Sequence, residues 1–318
     1  MCEPIDPRSR KNRDGVLYVE HVPLRAGLPL LSLWSFESAT SDTSREPVRV
    51  SGDGTQSYWL SAQDPLLNTL LPSTHVSLVI NAADTWAAGR SLVDAQLLPH
   101  ACVIGPMMHS RILRVGRRVC AFGAVIPAQM AMSVFGVAAR GLVERVVPLR
   151  DLWPGALAQE LTEGASSLSV RNRITERLSS GACSGSNVEY DAASALAFHG
   201  GRLSVDALAR SCGVSRRTLT RRFVSELGIA PKLYARITRF NRLVSALLST
   251  DASRWATLAT DLGFFDQPHM VNEFRQFTGL SPLRFFHQRG ELPPRRGADS
   301  RGRPCDWIRQ THNNARHS

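Results

Sequence analysis

The 318-residue sequence has six cysteines, and none stands at the C-x-x-C spacing of zinc sites or redox-active thiol pairs. This argues against a disulfide framework and a thiolate metal site, and it is typical of a protein of the reducing cytosol. Lysine is almost missing as well, because only Lys11 and Lys232 occur among 38 basic residues. The positive charge is therefore carried by arginine, which forms bidentate contacts with phosphate and guanine. A GC-rich genome produces the same bias.

Long apolar runs are also scarce. The opening residues 1–15 contain no apolar segment of the kind that a secretory signal requires. Residues 119–139 approach the roughly 20 apolar residues that cross a bilayer, but Gly123, Pro127, Gln129 and Gly136 interrupt them. These interruptions favour a buried strand, a turn and a second apolar segment over a membrane span. We therefore predict a cytoplasmic protein with no membrane partner.

Motifs of the common enzyme classes are missing too. The sequence holds no nucleotide-binding glycine loop, no G-x-S-x-G and no H-E-x-x-H. His75, His100 and His109 raise a cupin-like metalloenzyme as an alternative, but they are far apart and no H-x-H pair with a downstream glutamate accompanies them. We predict that the chain is not an enzyme and holds no metal or cofactor. Stoichiometric iron, manganese or zinc in the purified protein would support the alternative.

The charge that is present is unevenly distributed. Residues 190–318 hold 20 basic and 10 acidic residues, whereas residues 1–189 hold 18 and 17. A nearly neutral part joined to a basic part predicts a ligand or partner domain joined to a nucleic-acid-binding domain. The alternative is an interaction module whose basic helices bind protein. The charge asymmetry disfavours it, and salt-dependent binding to duplex DNA separates the two.

Three regions follow from the pattern along the chain. Residues 188–290 are helical by periodicity, and residues 291–318, rich in Pro, Gly and charge, predict a disordered tail. Residues 1–187 open with apolar runs between turn residues, which predict strands of a small, mostly β unit at 28–36, 76–80, 102–104 and 119–125. Apolar residues at four-residue spacing predict two closing helices around 157–165 and 170–178, and the small polar segment 179–187 predicts a linker.

Residues 188–290 contain an internal repeat. At an offset of 50, Leu208, Ala209, Cys212 and Gly213 align with Leu258, Ala259, Leu262 and Gly263. Spacing of three and four residues places the apolar members on one helix face, and the glycine permits the positive φ that ends a helix. After the glycine the offset becomes 51, so the second copy has one extra residue in its turn. The copies end alike, in GIAP and GLSP, and together they predict a tandem helix-turn-helix.

The second helix of each copy has a start signal and an exposed face suited to DNA. Ser215 and Asp266 are the predicted caps. The first helix exposes arginines and a threonine, and the second exposes mainly neutral donors and acceptors, which suit base edges and phosphates in the major groove. The predicted DNA-contacting residues are Arg216, Arg217, Thr220, Arg221, Gln267, His269, Asn272 and Arg275.

An apolar stripe between the copies predicts a linking helix over residues 230–250. The stripe consists of Leu233, Ile237, Phe240, Val244, Leu247 and Leu248. Twenty helical residues span about 30 Å, close to the roughly 34 Å of one DNA turn. Such a helix would hold two recognition helices in successive major grooves on one side of the duplex.

These features resemble the AraC/XylS family of bacterial transcription regulators. The strongest match, GFFDQPHMVNEFRQFTGLSP at 263–282, is similar to the family signature around the second unit, and the resemblance covers about residues 190–287. It implies a DNA-binding transcription regulator, with the activating or repressing sign left open. Two positions depart from the family pattern: Pro268 stands where a polar residue is common, and Asn272 where a basic one is frequent. The base-facing positions that the resemblance implies are Arg217, Thr220, Arg221, Gln267, His269 and Asn272.

Residues 1–187 are similar to the small β-rich sensor domains of such regulators, and residues 70–81 resemble a strand pair in one group of them. The resemblance implies effector sensing or dimerisation there. The predicted fold is α+β: a mostly-β domain, cupin-like or similar, with two terminal helices, followed by an all-α domain of two helix-turn-helix units. Promoter or operator DNA is the main predicted partner. A small-molecule effector, RNA polymerase and a second copy of the chain are further candidates.

Overall fold

The computed structural model describes residues 67–116, 120–155, 187–249 and 254–287, together with residue 176 and five strands nearer the amino terminus. The predicted strands at 76–80, 102–104 and 119–125 correspond to strands at His75–Asn81, Ala101–Ile104 and Cys120–Pro127, and the described part of 28–36 lies in the strand Ser32–Ser38. The strands are β1 (Arg8–Lys11), β2 (Val16–His21), β3 (Ser32–Ser38), β4 (Arg49–Ser51), β5 (Ser57–Leu60), β6 (Leu67–Leu70), β7 (His75–Asn81), β8 (Ala87–Gly89), β9 (Gln96–Leu97), β10 (Ala101–Ile104), β11 (Arg111–Arg114), β12 (Cys120–Pro127) and β13 (Val146–Pro148).

The strands pair antiparallel in two sheets. One sheet has seven strands in the order β1-β2-β3-β12-β7-β10-β13, and the other has six in the order β4-β5-β6-β11-β8-β9. At the centre of the larger sheet, Leu78 of β7 lies opposite Ala124 of β12, and Val79 lies opposite Cys102 of β10. The amino-terminal region is therefore mostly β, as the sequence predicts.

Both faces of the larger sheet are covered at its strands β12, β7 and β10. Side chains alternate between faces along a strand, and in β7 Val79 enters the core between the two sheets while Leu78 enters a second core on the opposite face. Cys102 and Leu113 also line the inter-sheet core. Burial on both faces explains why Val76–Asn81 is buried without interruption, and why this segment reads as a continuous apolar run.

The apolar segment 119–139, considered above as a membrane span, has the interrupted form that its sequence favours. After β12 comes a 3-10 turn, Ala128–Met130, and then the short helix α1 (Ala131–Phe135), which ends at Gly136 with φ +74°. In the described part of the chain, no helix is both long enough and apolar enough to span a bilayer.

The described residues of the carboxy-terminal part form seven further helices. The predicted helices at 157–165 and 170–178, most of the linker 179–187 and the tail 291–318 lie outside the described residues. The seven are α2 (Val188–Phe198), α3 (Val205–Ser211), α4 (Arg216–Leu227), α5 (Pro231–Ser249), α6 (Trp255–Asp261), α7 (Gln267–Thr278) and α8 (Pro282–His287).

The helices pack in two groups around α5. Leu208, Leu219 and Phe223 join the apolar cluster that covers the outer face of the larger sheet, so α3 and α4 rest on the β region. Phe240 and Phe274 belong to a second cluster, formed mainly by α5 to α8 together with Leu71 of the β region, and their ring centroids are 5.4 Å apart. The first helix-turn-helix unit thus packs on the larger sheet, whereas the second packs mainly on α5.

Candidate nucleic-acid interface

The first helix-turn-helix unit consists of α3, a glycine turn and α4. Gly213 has φ +66°, a conformation that an L-residue with a Cβ adopts only with strain. Ser215 then caps α4, its Oγ accepting a hydrogen bond from the Thr218 amide at 3.1 Å. The helix ends at Gly228, which has φ +71°. The local sequence signals therefore define both ends of this helix, as predicted.

The two faces of α4 differ sharply in character. Leu219 and Phe223 are fully buried, which fixes the rotation of the helix about its axis. All four arginines of the helix are consequently exposed, and Thr220 is half-buried. Two of these arginines contact acidic groups: Arg216 lies 3.4 Å from Asp206 and Arg222 lies 4.0 Å from Glu189; the other two are Arg217 and Arg221.

The second unit repeats this design around α6 and α7. Gly263 has φ +81°, and Asp266 caps α7 by accepting a hydrogen bond from the His269 amide at 2.7 Å. Pro268 lies in the first turn, where its missing N–H costs no helical hydrogen bond. Gly279, with φ +76°, ends the helix. The extra residue of the second copy therefore precedes the cap and leaves the helix itself regular.

The predicted contact residues of α7 lie on one outer surface. Asn272, His269 and Arg275 are exposed, and Gln267 is half-buried at the start of the helix. His269 also makes local contacts: its Nδ1 accepts the backbone N–H of Phe265 at 3.2 Å, and its Nε2 lies 3.8 Å from a Glu273 oxygen. The ring is thereby tied to the turn and to the helix interior.

Glu273 is a residue of the site that the sequence reasoning missed. It is 4% exposed, and its carboxylate receives hydrogen bonds from Arg236 Nε at 3.1 Å and Arg239 Nη2 at 3.2 Å. The guanidinium of Arg239 also lies 4.7 Å from the centre of the Phe264 ring. Two arginines one turn apart on α5 were the available sequence signal, but nothing local pairs them with an acid that lies 37 and 34 residues away.

The linking helix α5 connects the units and also contacts the β region. Its 19 residues span about 28 Å at 1.5 Å per residue. Tyr234, near its start, packs edge-on against Phe223 of α4 with ring centroids 5.3 Å apart. Burial raises the pKa of Tyr234 to about 12, although a hydrogen bond with Thr74 of the β region opposes that shift. The buried phenol therefore stays neutral and joins α4, α5 and the β region.

The β region also contacts the second unit. Ser110 Oγ donates a hydrogen bond of 2.6 Å to the carbonyl of Phe277, the last buried aromatic residue of α7. The loop before Ser110 is held by Glu144, whose carboxylate accepts hydrogen bonds from the Met108 amide at 2.6 Å and Arg111 at 2.8 Å. Burial alone would raise the pKa of Glu144, but these bonds outweigh it and lower the pKa.

The three histidines considered above as metal ligands have separate surroundings. Burial lowers the pKa of His75, at the start of β7, to about 4. His100 Nδ1 lies 2.9 Å from the carbonyl of Asn81, and His109 lies beside Glu144. Among the residues that the structure describes, no three His, Cys, Asp or Glu side chains are grouped as a metal site would require.

Comparison with known families decides the nature of the helical region. Residues 208–288, which run from α3 through α8, match the family model described as a helix-turn-helix domain. This region is an AraC-type helix-turn-helix domain. A domain of this type indicates that the chain is a DNA-binding transcription regulator.

Several solved structures resemble the chain at low identity. ToxT from Vibrio cholerae is 8% identical, with 70% of this chain and 92% of that chain covered and a TM-score of 0.40. The carboxy-terminal domain of AraT, a response regulator from Geobacillus stearothermophilus, is 23% identical over 33% of this chain and 87% of that one, with a TM-score of 0.30. The AraC-like transcriptional activator CuxR is 14% identical over 81% and 90%, with a TM-score of 0.28. No curated protein matches the sequence.

Proposed function

We propose that the chain binds promoter or operator DNA sequence-specifically, with α4 and α7 in successive major grooves. The observation that carries this proposal is the exposed arginine face of α4. The helix is capped at its start, and two fully buried residues fix its rotation about its own axis. Arginines near the start of such a helix reach guanine O6 and N7 as well as phosphates. The second unit adds the mainly neutral face of α7, about 28 Å of linking helix away.

Within α4 the proposed roles differ. Arg217 and Arg221 have no ion-pair partner among the described residues, so their guanidinium groups need not give up a protein contact to bind a base. Arg216 lies 3.4 Å from Asp206, which suits a phosphate contact at the helix start. Thr220 lies between Arg217 and Arg221 in the sequence of the same helix. On α7 we propose base or phosphate contacts for Gln267, His269, Asn272 and Arg275.

To test this, an operator is first selected with the parent chain. The affinities of the parent, Arg217→Ala and Arg221→Ala chains for that operator are then measured across a range of salt concentrations. Each substitution is expected to weaken specific binding by about 1–3 kcal/mol, roughly 5- to 150-fold. Arg150→Ala removes an exposed arginine outside the helical region and is the matched control, expected to leave affinity unchanged. Unchanged affinity in both α4 variants would contradict the assignment. A wild-type affinity that did not fall steeply with salt would contradict DNA binding itself.

We further propose that residues 1–187 sense a small-molecule effector and that the DNA-binding domain comprises residues 188–290, followed by the tail 291–318. Two polar atoms in the inter-sheet core support the effector proposal. Asn68 Oδ1 and Trp86 Nε1 are buried with no hydrogen-bond partner among the described residues. Asn68 lies opposite Leu113, whose side chain lines that core, and Trp86 lines it directly. Buried groups without partners cost stability, and a ligand offering one donor and one acceptor would satisfy both.

The effector proposal is tested with Asn68→Leu and Trp86→Phe, which remove the acceptor and the donor while keeping much of the volume. Without ligand, both variants are expected to be as stable as the parent, because each loses an unsatisfied group. A metabolite that raises the melting temperature of the parent is expected to raise that of the variants less. Equal shifts in all three proteins would place the ligand elsewhere.

We also propose that the chain is a cytoplasmic regulator that contacts RNA polymerase and forms a homodimer. Sedimentation of the full chain tests whether it forms a homodimer.

A further inference from the structure

We propose that Phe265 reads thymine in the operator by contacting its C5-methyl group at the entry of α7 into the major groove. This proposal rests on the proposed function, because it requires α7 to lie in that groove. Phe265 is 88% exposed, although phenylalanine is among the residues most often buried. It immediately precedes Asp266, the cap of the predicted second recognition helix.

Phe265 is the extra residue of the second unit. In the first unit Val214 alone separates the turn glycine from the capping serine, whereas in the second Phe264 and Phe265 separate Gly263 from Asp266. The core role of Val214 is taken by Phe264, which is 4% exposed and belongs to the α5–α8 cluster. Phe265 therefore has no place in the core of its own unit and projects outward.

Phe265 does not take the packing role that is common for an apolar residue directly before a helix cap. An apolar residue just before a helix cap often packs against the residue four positions into the helix, as a hydrophobic staple. That residue is Met270, which is fully buried, while Phe265 is almost fully exposed. The ring of Phe265 therefore has no packing role in the described part of the fold.

The backbone that carries Phe265 is nevertheless held firmly. Its N–H donates to His269 Nδ1 at 3.2 Å, and the His269 ring lies 3.8 Å from Glu273, which is bound in turn by Arg236. Asp266 fixes the next residue through its cap hydrogen bond to the His269 amide. The structure thus assigns His269 as a positioning residue for Phe265, in addition to any contact that it makes with DNA itself.

The surroundings indicate what the ring contacts. Gln267 and Asn272 of α7 are not fully buried and suit the polar edges of bases, whereas a phenylalanine ring forms no conventional hydrogen bond with phosphate oxygens. In the major groove the apolar feature that distinguishes one base is the C5-methyl of thymine, which apolar side chains contact directly. Burying one methyl group corresponds to about a fourfold gain in affinity.

The experiment begins with selection of bound duplexes from a random library by the parent chain, by Phe265→Ala and by Phe198→Ala. Phe198 is 85% exposed on α2 and is the matched control. One thymine preference is expected to disappear with Phe265→Ala alone. Replacing that thymine by deoxyuridine, which lacks only the methyl group, is expected to weaken the parent about fourfold and the Phe265→Ala chain not at all. His269→Ala should reduce this methyl dependence, and His269→Asn, which keeps an acceptor near the Nδ1 position, should restore it.

Three outcomes would overturn the proposal. The parent could bind thymine and deoxyuridine duplexes equally at every position, or Phe265→Ala could keep the full methyl dependence. Alternatively, Phe265→Ala could leave DNA binding intact and reduce only transcription in vitro, which would assign the ring to a protein partner. Failure of the proposed function looks different, because the parent would then select no sequence at all. Phe265→Ala should melt at the parent's temperature, since the ring packs against nothing in the core.

Discussion

Replacement of Glu273 by alanine has consequences that can be worked out from its contacts. The carboxylate is 4% exposed and holds Arg236 at 3.1 Å and Arg239 at 3.2 Å. Removing one partner of a buried ion pair costs about 3–5 kcal/mol, because the other charge stays buried. The side chains of Arg236 and Arg239 are 29% and 15% exposed, so both regain part of their hydration. We therefore expect the free energy of unfolding to fall by about 2–3 kcal/mol, at or just below the lower limit of that range.

Urea titration of the full chain measures this change, and thermal melting provides a second reading. A loss of about 2–3 kcal/mol corresponds to a melting temperature lower by roughly 4–12 °C. Glu273→Gln keeps an acceptor oxygen and is expected to lose about half as much stability, roughly 1–1.5 kcal/mol. The matched control is Glu226→Ala on α4: this glutamate is exposed, and its removal should change stability by less than about 0.5 kcal/mol.

Equal stability of Glu273→Ala and Glu226→Ala would refute the reasoning, because it would mean that water replaces the carboxylate at no cost. A further variant separates charge from packing. If uncompensated charge is the cause, replacing Glu273, Arg236 and Arg239 together by apolar residues of similar size should recover much of the loss, since such exchanges are often close to neutral. If lost packing is the cause, the triple variant should be at least as unstable as Glu273→Ala.

Three more predictions concern single positions. Gly228→Ala is expected to destabilise the chain more than Gly279→Ala. In both variants the positive φ lowers the free energy of unfolding by about 1–2 kcal/mol. A Cβ at Gly228 would also lie 2.7 Å from Val143, whereas the space around Gly279 is open. Urea titration of the two variants checks this. His75→Asn is expected to flatten the pH dependence of unfolding, because burial lowers the pKa of His75 from 6.5 to about 4. Between those values the unfolded chain binds a proton that the folded chain does not, so stability falls as pH drops from about 6.5 to 4. Asp266→Ala is expected to cost about 1 kcal/mol and Asp266→Asn much less, since asparagine also caps helices; thermal melting distinguishes them.

The tandem helices were predictable because their signals are local. A cap, a glycine and apolar residues three or four positions apart determine each helix within about a dozen residues, and Ser215, Gly213 and Asp266 act in the structure as these signals predict. The same holds for β7, whose buried run stands out in the sequence. The order of the strands was not predictable, because β12 inserts between β3 and β7 through pairings that no local pattern encodes.

In the candidate site, too, some features were predictable from the sequence and others were not. Periodicity placed His269 on the outer face of α7, and it is exposed there. Periodicity could not show that its Nδ1 accepts the Phe265 amide, since that contact depends on the path of the turn. Nor could it show that Glu273 faces Arg236 and Arg239, because an acid next to an exposed helix face usually points to water. Predictions from spacing identify faces, whereas the partners of a polar side chain depend on which elements meet.

The linking helix connects the β region to both α4 and α7. Near its start, Tyr234 packs on α4 and bonds with Thr74, the residue directly before β7. Further along, Arg236 and Arg239 hold α7 through Glu273, and the opposite end of α7 accepts the hydrogen bond of Ser110. Cores are close-packed and transmit small displacements. Because β7 contributes to the inter-sheet core on one face and to the core under α4 on the other, a ligand that shifts β7 would displace α4 more directly than α7. Such a shift would change the spacing of α4 and α7, the two helices proposed to read DNA, and that spacing would set which DNA they can bind together.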